Sequence, residues 1–496
     1  MTTSLERSAG LAAQAAMGQV LAAPAADAPR LAFADAIEGE DPARAALVRA
    51  QCAQAGLELG APAWDLGVRA ENLLRPHSAG HGPGVFDDDP ERSLHADCSG
   101  LGGDWVPETV RRAALACSIR RGFADGLLIE AEQLVAHAAA IFDAAPITHL
   151  AIPRLRTLGP RDVGAPAQLD ALRAVLALPQ LSRVTSLAFH GFDMGDAGAA
   201  LLAESTGLGA VARLDLTGNR LTPADVSALA ASPAIAQLRT LVLAENSALR
   251  APGVEAIGRA RWAASLRTLD LRKCGLGGKG VAALLSLPLE LTALSLAENQ
   301  IGGDGLRGLG GAAWAPGLRA LSVRGNPLLG SNCAAALGAS PLTGVAHLDV
   351  ASTRLGPGEI GALATSPLFD DLRTLEVSGN HGLCDDDVAK VFAGRAALRR
   401  LVADQCLQLG DGMWKAIAAS PRAERLMWVV GSGATDAGAA CLAASEHLGD
   451  LRWLDLCRSK LGGEAVRAIL RSPGLRALDF FRAEGHWEDR RAARSA

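Results

Sequence analysis

A nine-residue phrase recurs along the chain and constrains its fold more than any other feature. The phrase has leucine or a similar apolar residue at its first, fourth and sixth positions and often asparagine at its ninth, as in Leu291-Thr-Ala-Leu-Ser-Leu-Ala-Glu-Asn299. Its fourth residue, here called the central leucine, recurs every 25 to 28 residues, at Leu187, Leu214, Leu241, Leu269, Leu294, Leu321, Leu348, Leu375, Leu401, Leu426 and Leu454. So regular a period is typical of stacked repeats, in which each unit contacts only its neighbours. The 496 residues therefore predict one long repeat domain rather than a string of globular domains.

Each repeat combines a strand with a helix. The alternation of apolar residues around the central leucine predicts a short strand that is buried on one face, and the residues after the asparagine follow a helical period. In one repeat, Thr222 is placed to cap a helix that begins at Pro223. Further copies around Leu150 and Leu478 extend the pattern at both ends. A single unit cannot bury its apolar face, so we expect the units to stack into a parallel sheet.

These repeats resemble the leucine-rich repeats of ribonuclease-inhibitor-like proteins. The resemblance implies an α/β solenoid with a curved parallel sheet on its concave side and helices on its convex side. In that family the asparagine bonds backbone groups and forms a ladder along the solenoid. The ladder position is here occupied by Asn219, Asn246, Cys274, Asn299, Asn326, Thr353, Asn380, Cys406, Gly431 and Ser459. We therefore expect Cys274 and Cys406 to be structural and Gly431, which has no side chain, to be the weakest position.

The residues before the repeats resemble a bacterial repeat-companion domain, a small helical module that precedes leucine-rich repeats. The matching residues are Pro29-Arg30-Leu31, Ala34-Asp35, Glu38, Asp41-Pro42 and Gln51, whereas Ala36 replaces the tryptophan that is usual in the family. We predict this module at 1–75, a loop-rich linker at 76–118, an N-terminal cap at 119–145, the repeats at 146–482 and a polar tail at 483–496. The resemblance implies no biochemical activity for the module.

The charge and the cysteine content indicate the cell compartment and the classes of partner that we expect for the protein. A net charge of −5 provides no basic field that would attract nucleic acid or anionic lipid, and no apolar stretch approaches the ~20 residues that cross a membrane. Nine cysteines without a Cys-x-x-Cys pair are typical of reduced thiols. Residues 11–26 imitate a signal peptide, but Gln14, Gln19 and the helical pattern that follows favour a first helix. We expect a cytoplasmic bacterial protein that binds neither nucleic acid nor membrane.

Motifs for catalysis are absent from the sequence, which contains no P-loop, nucleophile elbow or zinc-protease motif. One cluster in the predicted linker has metal-binding residue types: His77, His81, Asp87, Asp88, Asp89, His95 and Cys98. The glycines and prolines among them predict a solvated loop instead of a metal site. Asp349 and Glu376 fall on adjacent strands at ~5 Å, as in a retaining glycosidase, but an open sheet does not enclose such a pair. We expect no enzymatic activity, cofactor or metal.

Two rows of side chains, one before and one after each central leucine, are expected to face the concave surface. The row after the leucine is acidic, with Asp215, Asp270, Asp349, Glu376 and Asp455. Arginines just before the leucines could neutralise it. Near the C-terminus, Arg400, Arg425, Met427 and Trp453 place arginine and tryptophan, which are enriched at binding hot spots, on one face. Trp453 is open to a second interpretation, in which it covers the end of the solenoid with Phe480, Phe481 and Trp487.

These features favour a non-enzymatic scaffold that binds a partner protein through the concave face, by shape and by charge. The residues do not identify the partner, and we expect the protein to be a monomer. The alternative is a regulator of an enzyme, such as a GTPase activator. That alternative rests on the use of the same repeat type by a eukaryotic GTPase-activating family.

Overall fold

The computed structural model of the chain describes residues 4–54, 96–97, 106–120, 123–154, 166–340 and 342–489. These residues form two compact units. The first contains the described residues up to Asn219 together with Ser232–Leu238, and the second contains Arg220–Ala231 together with the described residues from Arg239 onward. The His, Asp and Cys cluster of the predicted linker, from His77 to Cys98, lies outside the described residues.

The first unit begins with three helices, which are α1 (Ser4–Ala22), α2 (Asp27–Ile37) and α3 (Pro42–Gln54). Val20, Phe33 and Val48 of these helices are buried in one cluster with Phe123, which lies in a strand of the repeats. The Phe33 and Phe123 rings are 4.9 Å apart, and the guanidinium of Arg30 lies 4.9 Å from the centre of the Phe123 ring. The N-terminal helices are thus fixed to the first repeats by an apolar contact that an arginine covers.

The repeats of the first unit form a sheet whose central leucines are in register. Leu127, Leu150, Leu187 and Leu214 lie side by side in parallel strands. The strands are β1 (Ala96–Asp97), β2 (Ala116–Arg120), β3 (Phe123–Leu128), β4 (His149–Pro153), β5 (Ser186–His190) and β6 (Arg213–Asp215), of which β1 with β2 and β2 with β3 pair antiparallel. The helices are α4 (Glu108–Ala113), α5 (Ala131–Ala144), α6 (Pro166–Leu176) and α7 (Gly195–Glu204).

The second unit continues the same alternation of strand and helix. Its parallel strands are β7 (Thr240–Val242), β8 (Thr268–Asp270), β9 (Ala293–Ser295), β10 (Ala320–Ser322), β11 (His347–Asp349), β12 (Thr374–Glu376), β13 (Arg400–Ala403), β14 (Trp428–Ser432), β15 (Trp453–Cys457) and β16 (Phe480–Ala483), and β17 (His486–Asp489) pairs antiparallel with β16. Its helices are α8 (Pro223–Ala231), α9 (Arg250–Gly258), α10 (Gly277–Leu285), α11 (Gly303–Arg307), α12 (Asn332–Gly338), α13 (Glu359–Leu363), α14 (Asp385–Ala393), α15 (Asp411–Ala419), α16 (Asp436–Ala443) and α17 (Gly463–Arg471). The alternating elements and the parallel strands confirm the α/β leucine-rich repeat fold.

A ladder of buried polar side chains joins neighbouring repeats. The Asn326 side chain is fully buried; its Oδ1 accepts the N–H groups of Asn299 and Ile301 at 2.9 and 3.0 Å, and its Nδ2 donates to the Leu296 carbonyl at 3.0 Å. Asn299 makes the same kinds of bond with Cys274 and with the Leu271 carbonyl. Backbone bonds to the next repeat satisfy only some N–H groups of the loops that follow the strands, such as that of Glu298, so these side chains satisfy groups that would otherwise be buried unpaired.

Cysteines occupy two ladder positions as hydrogen-bond donors. The Cys274 thiol donates to the Leu243 carbonyl at 3.1 Å, and the Cys406 thiol donates to the Val377 carbonyl at 3.5 Å. Burial raises the pKa of the Cys274 thiol to about 12 and that of the Cys406 thiol to about 11. Both thiols therefore stay protonated at neutral pH, as a donor must.

A second set of cross-repeat bonds, which the sequence did not predict, links the starts of four helices, α14 to α17. The Asp385 carboxylate accepts the N–H groups of Gly410 and Gly412, at the start of α15. Asp411 accepts those of Thr435 and Gly438 at the start of α16, and Asp436 accepts that of Gly462 at the start of α17. The first N–H groups of a helix have no partner within it and attract negative charge, so each aspartate caps the helix of the following repeat.

Two central positions near the C-terminus differ from those predicted. Leu401 pairs with Val429 rather than with Leu426, and Leu454 pairs with Phe481 rather than with Leu478. Both predicted central positions lie three residues too early in the chain. In these two repeats valine or phenylalanine occupies the fourth position of the phrase, so the leucine at its first position was mistaken for the central residue. The ladder position of this repeat is consequently Ala434 and not Gly431; the Ala434 N–H donates to Ser459 Oγ at 2.9 Å.

Gly431 instead occupies the strand position after Val429 and Val430, where most repeats have a buried leucine or valine. A Cβ atom at Gly431 would lie 2.8 Å from Trp414 Cη2 and 2.8 Å from Met413 Cε. Trp414 and Met413 belong to α15 and are fully buried. The indole of Trp414 therefore fills the space that a strand side chain fills in other repeats.

Parts of the predicted linker and of the predicted tail form helices or strands. Residues 108–113 within the predicted linker form α4, and residues 116–118 belong to β2. Within the predicted polar tail, β17 pairs with β16 through His486 and Trp487. The residues of β2 in the predicted linker and those of β17 were interpreted as loop and tail because they lack the leucine pattern. Each of these strands pairs antiparallel with its neighbour.

We expect Asn326→Ala to destabilise the protein by about 3 kcal/mol or more, because it leaves several buried backbone groups without partners. The matched control is Asn332→Ala at an exposed position, which is expected to change stability by less than about 0.5 kcal/mol. Chemical denaturation monitored by circular dichroism measures both. Equal effects of the two substitutions would contradict the ladder.

We expect Gly431→Ala to destabilise the protein by about 1–3 kcal/mol through overpacking against Trp414. Adding Trp414→Phe should recover part of the stability that Gly431→Ala removes, because the smaller ring vacates the space. Gly278→Ala in α10 is the control, since nothing lies within 4 Å of the added Cβ there. Thermal denaturation compares the variants, and an unchanged Tm for Gly431→Ala would count against the packing described.

Candidate functional site

Strands β7–β16 present two rows of side chains on the face away from the buried central residues, and we call these rows the exposed sheet face. The central residues Leu294, Leu321 and Leu348 are at most 3% exposed. Of the residues that flank the central positions, most are half-buried, as the strand burial patterns of β8, β9, β10 and β12 illustrate. The predicted residues Asp270, Asp349, Glu376, Arg400 and Trp453 all lie in these rows.

Two of the predicted acidic residues are already neutralised. Asp455 receives the guanidinium of Arg482, from the next strand, with Nε at 2.9 Å and Nη2 at 2.5 Å. Asp215, in the first unit, accepts the Thr217 hydroxyl at 2.6 Å and lies 3.4 Å from His190 Nε2. Both carboxylates are almost fully buried. Their partners fit a structural role better than contact with another protein.

Asp349 and Glu376, which we call the carboxylate pair, lack such compensation. They are paired across β11 and β12. Asp349 accepts hydrogen bonds from Ser322 Oγ and the Ala351 N–H, and Glu376 accepts one from the Ser378 side chain; within the part of the chain that the structure describes, neither forms an ion pair. Burial raises the pKa of both, and the Asp349 charge adds to the rise at Glu376. The open sheet thus desolvates these carboxylates more than the sequence suggested.

Aromatic side chains form a stack along the row before the central residues. The rings of Trp428 and Trp453 are parallel within 4° at a centroid distance of 4.1 Å, and Trp453 stacks on Phe480 at 3.6 Å. Arg400 covers the free side of Trp428, with its guanidinium 4.9 Å from the ring centre. Trp487 of β17 meets Phe480 edge-on at 5.7 Å. We call Trp428, Trp453 and Phe480 the aromatic stack.

The stack bears on both interpretations of Trp453. Phe480 is only 4% exposed, so the C-terminal end of the stack is covered. Trp428 and Trp453 are half-buried and keep part of each ring at the surface. Trp453 therefore contributes to the packing of the last repeats and also to the exposed sheet face.

Two predicted contact residues, Arg425 and Met427, do not lie on the exposed sheet face. Arg425 ends a 3₁₀ turn (Pro421–Arg425), and Met427 precedes β14 and is 2% exposed. Their placement on this face was wrong because it put Leu426 at the central position. The true flanking residues of Val429 are Trp428 and Val430.

Sequence reasoning consequently missed Trp428 and Val430 as surface residues of the site, and it did not single out Val402, which follows the correctly placed Leu401. Val402 and Val430 are half-buried neighbours in the row after the central residues of β13 and β14. With Trp428 and Trp453 they form what we call the apolar patch. The signal for it was the phrase Leu426-x-x-Val429-x-Gly431, which has the correct spacing with a valine and a glycine in place of leucines.

Features of other kinds of site are not found in the described part of the chain. No group of three or more His, Cys, Asp or Glu residues there could hold a metal ion. None of the seven cysteines whose side chains are described forms a disulfide. None of the helices in the described ranges is long and apolar enough to cross a membrane.

Comparison with known proteins agrees with the repeat pattern. The family model for leucine-rich repeats matches residues 263–285 and 291–310. No curated protein sequence is significantly similar to the chain.

The solved structures that align with the chain include one described as a leucine-rich repeat protein. A chain of the yeast Rad7–Elc1 complex aligns with 64% of this chain and 87% of its own length, at 15% identity and a TM-score of 0.41. Internalin C2 from Listeria monocytogenes aligns with 53% of this chain and 84% of its own length, at 17% identity and a TM-score of 0.30. The leucine-rich repeat protein LIC12759 from Leptospira interrogans aligns with 61% and 84%, at 14% identity and a TM-score of 0.32. Such distant likeness says nothing about function.

The raised pKa values of the carboxylate pair predict how stability depends on pH. At a pH above their pKa in the folded protein, both carboxyl groups are ionised in the folded and the unfolded protein, and burial of the charges lowers the stability of the folded protein. At a pH below their pKa in the unfolded protein, near 4, both groups are protonated in both states and this loss of stability vanishes. Asp349→Asn and Glu376→Gln should therefore raise the Tm at pH 7, and the gain should disappear as the pH falls below about 4. Thermal denaturation across this range measures the effect.

Glu464→Gln is the control for these substitutions. Glu464 is exposed, and its pairing with Arg467 lowers its pKa. Its replacement should give no rise in Tm at pH 7. A lower Tm of the Asp349→Asn and Glu376→Gln variants at pH 7 would show that the pair stabilises the fold instead.

Proposed function

We propose that this leucine-rich repeat protein is a non-enzymatic scaffold, and that it binds a partner protein through the exposed sheet face of β11–β15. The observation that carries the proposal is the apolar patch beside the carboxylate pair. Val402, Val430, Trp428 and Trp453 keep apolar surface partly exposed on neighbouring strands. Contiguous apolar surface with polar neighbours is typical of protein-binding sites.

The carboxylate pair supports the same proposal through its energetic cost. Burial disfavours the charged forms of Asp349 and Glu376, and the hydrogen bonds that they accept do not offset it. Burial raises the pKa of Asp455 as well, but there an arginine of the next strand supplies a direct ionic partner. Charges that lower stability without a partner in the fold are typical of residues retained for function.

Further parts of the proposal follow the sequence-based expectations. We propose that the repeats are of the ribonuclease-inhibitor-like type and that α1–α3 are a repeat-companion domain, in which Arg30 and Gln51 bond backbone carbonyls. We also propose that the protein acts as a cytoplasmic monomer in a bacterium. The alternative of an enzyme regulator rests on the repeat type alone.

Val430→Glu tests the proposed face, because it places a charge in the centre of the apolar patch. Ala440→Glu is the matched control: it adds the same charge to the same repeat, at an exposed position of α16. In quantitative affinity capture from the native organism, we expect a partner that wild type and Ala440→Glu retain and Val430→Glu loses by at least about tenfold.

Folding of both variants is checked by circular dichroism and thermal denaturation. A partner retained equally by Val430→Glu and wild type would place the binding surface elsewhere. A partner lost only from Ala440→Glu would assign binding to the helical surface.

A further inference from the structure

The exposed sheet face changes its chemistry in a fixed order along β11–β15. In the row after the central residues, Asp349 and Glu376 come first, followed by Val402 and Val430. Asp455 follows on β15 but is neutralised by Arg482. Two uncompensated carboxylates therefore adjoin an apolar surface on one side.

The row before the central residues reinforces the apolar end of this order. Thr374 on β12 is followed by Arg400, Trp428 and Trp453. The guanidinium of Arg400 lies over the Trp428 ring, 4.9 Å from its centre, and extends the stack rather than forming an ion pair with Glu376 in the described structure. The positive charges of Arg324 and Arg400 act on Glu376 through space, yet burial outweighs them.

The spacing of the strands selects the shape of a complementary segment. Neighbouring strands lie about 4.8 Å apart, and an α-helix rises about 5.4 Å per turn. A helix lying across the strands therefore places about one turn over each strand. In an extended segment, the side chains on one face lie about 6.8 Å apart. This spacing no longer matches the spacing of the strands after two or three strands.

We infer that the exposed sheet face binds an amphipathic helix of the partner, with an apolar stripe on Val402, Val430 and Trp453 and a lysine or arginine between Asp349 and Glu376. This inference rests on the proposed function. From β11 to β15 the site spans roughly 19 Å, which about 13 helical residues cover. The apolar residues of the helix recur at i, i+3 or i+4, and i+7, and the basic residue lies about one turn beyond the stripe.

A peptide library displayed on phage tests the inference with the whole chain as bait. Random 16-residue peptides are selected on wild type and counter-selected on Val430→Glu, so that the retained peptides depend on the apolar patch. We expect these peptides to carry apolar residues at helical spacing and a lysine or arginine three or four residues beyond them. Retained peptides with apolar residues at every second position, or without a basic residue, would overturn the inference.

The basic residue is then tested against the carboxylate pair by fluorescence anisotropy. For a selected peptide, the double variant Asp349→Asn, Glu376→Gln should weaken binding by at least about tenfold, and the control Glu464→Gln should not change it. A peptide with glutamine in place of its basic residue should bind wild type and the double variant with equal affinity. If the double variant merely disturbed the structure, it would weaken the binding of this peptide as well. Equal affinity of the basic peptide for wild type and the double variant would overturn the inference.

The proposed function is tested separately, by the capture of the native partner with wild type and with Val430→Glu. A partner that Val430→Glu loses but that presents a strand, a loop or an acidic helix would sustain the proposed function and contradict the inference. A partner that Val430→Glu retains would contradict the proposed function itself.

Discussion

The buried ladder of Asn246, Cys274, Asn299, Asn326 and Asn380 is the interaction on which the second unit depends. Strands of three residues satisfy few backbone groups, and the ladder side chains are buried in the loops that follow. Each ladder side chain pairs with backbone groups of its own repeat and of neighbouring repeats, as Asn380 does with Val350 and Val377 carbonyls and the Leu355 N–H. Because these bonds hold one repeat on the next, they also hold the strand spacing that any bound partner meets.

Much of this architecture could be predicted from the sequence, because the ladder and the central leucines use the same residue types in almost every repeat. The prediction failed at Leu426 and Leu478, where the phrase is degenerate. Gly431 fits its strand only because Trp414, seventeen residues earlier on a helix, supplies the missing volume. Such compensation between elements removes leucines from the phrase and leaves only its spacing, which a pattern of leucines does not reveal.

The candidate site was predicted in part for the same reason. Intact phrases contain Asp349, Glu376, Arg400 and Trp453, which lie on the strands where the pattern placed them. The degenerate phrase contains Met427 and comes just after Arg425, and these two residues do not lie where the pattern placed them. The sequence also could not show which acidic residues have partners. Arg482 neutralises Asp455 because the last strand begins three residues later than expected, and no equivalent cation of the described structure pairs with Asp349 or Glu376.

The central claim is that the exposed sheet face of the second unit is the surface that meets the partner. Site-specific photo-crosslinking in the native organism tests it most directly, with a photoreactive amino acid at Val430 in one strain and at Ala440 in another. The account predicts a light-dependent adduct with one partner protein from position 430 and none from position 440. An adduct with the partner from position 440 alone would contradict it.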